Sequence, residues 1–394
     1  MQIPARRRAR ALALAVLTPL VVVAGTLTGP VASGDAAANA QRTPYPEVWQ
    51  VPQPPHPKNP ANPLARRVWG VYEGPQDQVW RPYQAASGEE RELIGRIALR
   101  PRTKWYGAFV PDGDIAERVR QYVESSQDGD PRALVQLAVF RMQPWGQQAC
   151  QRPPTRKERR SYRTWISNLA TGIGSAHTLV VMQPDGPFLW CVPKRGVTSR
   201  LLTFATKRLS ALPNTSVYID AGAADWCENG RGADPRRCAG ILKRTGVKHA
   251  RGFALDSTHY TGPEENIRHG TRIVRILQRA GYGRKHFIID TAKSGNPMSW
   301  GEVIPAAPGE QKDNARTCSK PGMERCVTLG IPPTARAADP RWGMPPKVCR
   351  QAARHVDGFV WFGRPWLYYQ ADPFVKQRAV DMARTTPWMA PMVG

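Results

Sequence analysis

Acidic side chains are scarce in this 394-residue chain, with 31 Asp and Glu against 56 Lys and Arg and a net charge of +25. That balance permits an anionic partner, but no nucleic-acid module with recognisable motif spacing accompanies it, so no nucleic-acid role is expected. There is no CxxC pair and no HExxH, which removes the usual zinc frameworks; no metal and no cofactor is expected. No period of 20–50 residues recurs, so solenoids and propellers are excluded. After the first forty residues no apolar run is long enough to cross a bilayer. Hydrophobic residues at 41% and charged residues at 22% fit a globular protein rather than wholesale disorder.

The first forty residues read as an export signal. Arg6, Arg7, Arg8 and Arg10 precede an apolar stretch from Ala11 to Leu27, and Ala38-Asn39-Ala40 supplies small residues for cleavage near Ala40. A retained membrane anchor is the rival reading. Removal of this segment leaves a charge of about +22 on a secreted chain, which suits contact with an anionic cell-wall polymer. Export also permits disulfides among Cys150, Cys191, Cys227, Cys238, Cys318, Cys326 and Cys349. Seven is odd, so at least one is unpaired within the chain. Cys227 and Cys238 are close enough to staple one loop.

From Gln41 to Asn62 the chain holds seven prolines and one acidic residue, which reads as a semi-rigid linker. Beyond it short β-rich runs recur: Trp105–Phe109, Val135–Phe140, Leu179–Met182, Ser216–Asp220, Gly252–Asp256, Phe287–Asp290 and Gly358–Phe362. Amphipathic stretches such as Ile115–Val123, Tyr162–Leu169 and Asn266–Ala280 separate most of them. Strands apolar on both faces and alternating with helices predict a parallel sheet. Seven such units predict a seven-stranded α/β barrel over residues 63–394; an open doubly wound sheet is the alternative, but no GxGxxG follows the first strand.

Four of these strands end near a carboxylate: Asp185, Asp220, Asp256 and Asp290. One such Asp is commonly a helix cap, whereas four on the carboxyl rim of a parallel barrel mark an active-site mouth. Trp105 and Trp226 fall near the same rim. Carboxylates among tryptophans suit sugar rings, whose C–H faces pack on aromatics while their hydroxyls need acceptors.

The order of these motifs resembles glycoside hydrolase family 6, the secreted β-1,4-glucan cellulases, over roughly Asn62 to Asp372. Ile97-Ala98, Pro101 and Trp105-Tyr106-Gly107 are similar to the family's first strand, and Val180 to Asp185 to its V-V-x-E-P-D acid strand. SVYIDAGAADW (216–226), RGFALDSTHY (251–260), FIIDTAKSGNP (287–297) and VDGFVWFGRP (356–365) are similar to later strand ends. The resemblance implies a distorted seven-stranded barrel and an inverting β-glucan hydrolase, acting as a monomer. It makes Asp185 the general acid, places Asp220 and Asp256 at the sugar, and gives Trp105 and Trp226 stacking roles. It also implies a Cys150–Cys191 disulfide and a second one using Cys326, with Cys349 or Cys318 as partner.

The departures fall on the water side. The family's sugar-distorting tyrosine becomes Phe140 and the aspartate before its cysteine becomes Ala149. Its flexible loop becomes the basic run Arg152 to Arg163, which also reads as a solvated face or helix start. Arg325 replaces a tryptophan and Gln183 a glutamate. In the last strand the family's Lys, Glu and Asp fall on Gly363, Leu367 and Tyr369. A base relocated to Asp290 or Asp372 is one way to retain hydrolysis. A barrel that binds glycans without cleaving them is the second reading, and a polyanion binder driven by charge is the third.

Overall fold

The computed structural model describes residues 50–142, 151–227 and 233–389. The export segment and Ala149–Cys150 therefore lie outside the described residues. Seven parallel strands pair in chain order: β1 (Lys104–Gly107), β2 (Val135–Phe140), β3 (Thr178–Met182), β4 (Thr215–Asp220), β5 (Gly252–Leu255), β6 (His286–Asp290) and β7 (Val356–Val360). All six pairings are parallel. The sheet curls until its two edges approach, where the Thr103 N–H donates to Trp361 O at 2.9 Å. The expected strands are thus all present, and the fold is the expected α/β barrel, curled but not closed by a β1–β7 ladder.

Period-two alternation sorts the strand residues into two cores. Leu137, Val180, Val217, Phe253, Phe287 and Phe359 face outward onto the helices. Ala138, Val181, Tyr218, Ala254, Ile288 and Val360 face inward and fill the barrel with Leu64 and Trp69. The helical wall includes α3 (Ile115–Gln127), α4 (Arg156–Ile173), α5 (Arg195–Ser210), α6 (Pro235–Arg244), α7 (Pro263–Arg279) and α8 (Pro346–His355). Two short helices, α1 (Trp80–Ala85) and α2 (Gly88–Ala98), join α9 (Lys376–Thr385) in a separate cluster around Trp361 and Trp366. Helix α4 starts six residues earlier than its apolar pattern predicts. A capping box explains this: Thr155 accepts from the Glu158 N–H and Glu158 from the Thr155 N–H. The basic run is therefore a helix start rather than a loop.

One end of the barrel is closed by charge. Asp357, fully buried on β7, accepts from Asn59 Nδ2 (2.8 Å), Tyr218 Oη (2.7 Å) and Arg251 Nε (2.8 Å) and Nη2 (3.0 Å). Asn62 Nδ2 also donates to Asp357 O at 2.7 Å. Asn59 and Asn62 belong to the stretch read as a linker, so packing of the barrel begins before Pro63; their short amide side chains are the groups that reach the buried carboxylate. Disulfides join Cys227 to Cys238 and Cys318 to Cys326, the latter with Cys318 as the substitute partner. Cys191 is disulfide-bonded too, while Cys349 is a free thiol.

Removing a single partner of a buried ion pair strands the other charge. Asp357→Asn is expected to lower stability by about 3–5 kcal/mol, read as a lower urea midpoint with an unchanged slope.

Candidate active site

The alternation that fills the barrel also aims its rim. Asp220 follows Tyr218 by two residues, Asp256 follows Ala254 and Asp290 follows Ile288, so all three carboxylates turn inward and are fully buried. Each is hydrogen-bonded within the protein, although Asp256 Oδ2 has no partner among the described residues. Asp220 accepts from Ser257 Oγ and the Gly222 N–H at 2.9 Å, and from the Gly186 N–H at 3.3 Å. Asp256 accepts from the hydroxyl (2.5 Å) and N–H (3.2 Å) of Thr261. Asp290 is ion-paired with Lys293 and accepts from the N–H groups of Phe362 and Gly363. Asp220 and Asp256, expected at the sugar, are buried and do not line the cleft. Asp290 is likewise buried and absent from the cleft lining, and Asp372 is exposed, next to Ala371 of the lining but not part of it.

Asp185 escapes this layer because the chain after β3 kinks twice. Gln183 (φ 55°) and Asp185 (φ 64°) both adopt left-handed backbone, a conformation that Asp tolerates better than most residues. The turn crosses so close to β4 that a Cβ on Gly186 would lie 2.3 Å from Asp220 O. Asp185 emerges half-buried in the wall of a cleft of about 1280 Å³, with its Oδ1 accepting from Thr258 Oγ1 at 3.0 Å. Burial, and then the Asp220 charge, push its carboxyl up to about 7 against the pull of Thr258. Burial likewise raises Asp220 to about 6.

Both expected tryptophans line this cleft, though neither stands alone. Trp226 stacks on His259 at 4.6 Å, and the other side of that imidazole stacks on Trp300, also at 4.6 Å. Asp225 orders the pile by bonding His259 Nδ1 at 2.7 Å and accepting from the Trp300 N–H at 2.6 Å. Trp105 carries the Arg364 guanidinium 4.4 Å from its ring centre and donates to Phe362 O at 2.6 Å. Burial lowers Arg364 to about 10. Phe140 lines the same wall.

Sequence reasoning missed Asp313. It lies in the 3₁₀ turn Lys312–Asn314, lines the cleft, and its carboxylate accepts no hydrogen bond from the described residues. Burial raises its pKa, and its charge in turn raises that of Asp185. The turn lies next to Tyr369, whose Oη accepts from the Gln311 N–H at 3.3 Å. Asp313 therefore enters from a loop beside the position where the resemblance expects a carboxylate. At Gly363, where the resemblance expects a lysine, a Cβ would lie 2.6 Å from Lys293 Nζ. That ammonium, carried just after β6, bonds Asp256 O at 2.7 Å. No motif spacing announces either placement. Among the described residues no group of three His, Cys, Asp or Glu is placed to hold a metal ion.

Loss of the Thr258 hydroxyl removes the donor that favours the ionised acid. Thr258→Val is expected to raise the Asp185 pKa by about one unit, read directly from the carboxyl carbon by NMR titration.

The family model for glycosyl hydrolases family 6 matches residues 70–341. Endoglucanase A of Cellulomonas fimi is 29% identical over 229 residues, covering 58% of this chain and 47% of its own length. The chain thus spans about half of that relative. Endoglucanase 1 of Streptomyces halstedii is 27% identical over 236 residues, 58% of this chain and 70% of its own. Among solved structures, the endoglucanase Cel6 of Mycobacterium tuberculosis superposes with a TM-score of 0.60 at 24% identity, covering 82% of this chain and 98% of that one. With well over half of its residues matched by the family model and the same curled seven-stranded barrel, the chain belongs to glycosyl hydrolases family 6.

Proposed function

We propose that this chain is an exported, inverting hydrolase of β-1,4-linked glucan, with Asp185 as general acid and Asp313 as the carboxylate that activates water. The observation that carries the reading is a carboxyl raised to about 7 in the wall of a large cleft lined with aromatic rings. At neutral pH a good fraction of Asp185 holds the proton that a glycosidic oxygen needs, whereas an ordinary aspartate, near 3.9, holds almost none. Family membership and the names of the relatives, which are endoglucanases, support the substrate class. The Mycobacterium tuberculosis enzyme was solved with a thio-linked cello-oligosaccharide, methyl-cellobiosyl-4-deoxy-4-thio-β-D-cellobioside.

In this reading the glucan lies along the cleft with its rings against the Trp226–His259–Trp300 pile and the Trp105–Arg364 pair. Arg364 lines the cleft beside Trp105, while its Nε is buried and has no partner among the described residues. Asp185 gives its proton to the leaving oxygen as the C1–O bond breaks. Water attacks C1 from the opposite face and passes a proton to Asp313, so the new reducing end is the α-anomer. Solvent then returns the proton from Asp313 to Asp185. Inversion needs the two carboxyls about 6.5–9.5 Å apart. Charge coupling between Asp185 and Asp313 without a shared hydrogen bond suits a gap that holds water.

Hydrolysis of soluble β-glucans, followed by NMR of the product anomers, tests the assignment. Asp185→Asn and Asp313→Asn are each expected to lower kcat about 10²–10⁴-fold while leaving glucan binding in place. Wild-type protein that binds glucan without turnover would refute hydrolysis and leave a binding barrel. Full activity in Asp313→Asn would refute the water-side role alone.

The pH profile separates the two carboxyls. Activity should fall as pH rises through about 7, where Asp185 loses its proton. It should also fall on acidification, at a pH above the ordinary aspartate value of about 3.9, because burial raises Asp313. Asp313→Asn is expected to remove the acidic limb from the residual rate and keep the alkaline one.

A further inference from the structure

We propose that a second concavity, on the helical wall, is a binding site for a phosphate-rich polymer with a non-aromatic backbone, such as a polyol phosphate. Arg156, Arg159, Arg160 and Arg163 follow one another at i, i+3, i+4 and i+7, which places them on one face of α4. Arg200 meets them from α5, and the five guanidinium groups line a cavity of about 520 Å³. Val197 and Leu201 supply its apolar floor. The cavity is separate from the cleft and shares no lining residue with it.

The cluster is uncompensated. None of the five arginines forms an ion pair among the described residues, and the Arg163 guanidinium instead rests 4.6 Å from the Phe204 ring centre. Glu158, the acid in the first turn of α4, is taken by Arg152 and the Thr155 cap. Four arginines elsewhere on the surface do find acids: Arg120 with Glu117, Arg268 with Glu264, Arg341 with Asp339 and Arg384 with Glu89. Cations at i, i+4 destabilise a helix, and those in the first turns of α4 also oppose its dipole. A ligand with several oxyanions removes both penalties at once.

Guanidinium forks match phosphate oxygens two by two, which selects phosphate over a point charge. Five forks in one cavity require several phosphates along a flexible chain rather than one ion. Single-stranded nucleic acid would also need rings on which bases stack, and the ring beside the cluster, Phe204, already carries Arg163. Helices α4 and α5 follow β2 and β3, so both start at the carboxyl edge of the sheet, the edge on which the cleft opens. A polymer held there would keep the cleft mouth close to the surface it belongs to. This inference stands whether or not the cleft hydrolyses glucan.

The test is calorimetric titration of the mature protein with poly(glycerol phosphate), tripolyphosphate, polyglutamate and single-stranded DNA. Two triple variants lose the same charge: Arg159→Gln/Arg160→Gln/Arg200→Gln in the cavity and Arg120→Gln/Arg268→Gln/Arg341→Gln outside it. Affinity for poly(glycerol phosphate) is expected to fall about tenfold or more in the first and less than about twofold in the second, with a shallower salt dependence for the first. Equal losses in both variants would overturn the site in favour of diffuse charge. Tighter, cavity-dependent binding of DNA would overturn the ligand class, as would binding of tripolyphosphate alone or equal affinity for polyglutamate. Should the cavity triple fail to fold by circular dichroism, Arg200→Gln alone carries the test, with an expected loss of about threefold.

Discussion

The buried carboxylate of Asp357 is the constraint on which the rest of the barrel depends. A curled sheet whose edge strands share no full ladder needs something other than strand pairing to hold its curvature. Asp357 gathers β7, the Tyr218 hydroxyl of β4, the Arg251 guanidinium before β5 and the amide of Asn59 around one charge. Four segments distant in sequence are thereby tied across the barrel's interior. The Thr103–Trp361 hydrogen bond then has to bridge only a seam, not close a barrel on its own.

The opposite end uses the same logic in a second polar layer. Asp220, Asp256 and Asp290 turn inward with the strand alternation and bond to hydroxyls, backbone N–H groups or Lys293, with Asp256 Oδ2 left without a partner among the described residues. This layer gives the cleft a buried, polar floor. Asp185 sits above it, and its pKa is raised first by its own burial and then by the Asp220 charge. Burial near a neighbouring carboxylate is how an ordinary aspartate becomes an acid at neutral pH.

Two positions that depart from the family pattern lie beside charged groups carried by neighbouring elements. Gly363 leaves space that the Lys293 ammonium enters, and Tyr369 abuts the loop that carries Asp313. A motif compares positions along a chain, so it does not register a charge brought near from another element.

The sequence by itself determined the seven strands, their alternation with helices, the parallel sheet and the strand that leads to Asp185. Those features are local: they follow from residue periodicity and from short motifs whose order survives divergence. It also placed Trp105 and Trp226 at the cleft. Only the tertiary structure decided which rim carboxylates reach solvent, because that depends on two left-handed residues after β3 and on the inward phase of the other strands. Only the tertiary structure brought Asp313 to Asp185, Asn59 to Asp357 and Arg200 to the arginines of α4. Each of these joins residues far apart in the chain, and no periodicity records a distance that folding alone creates.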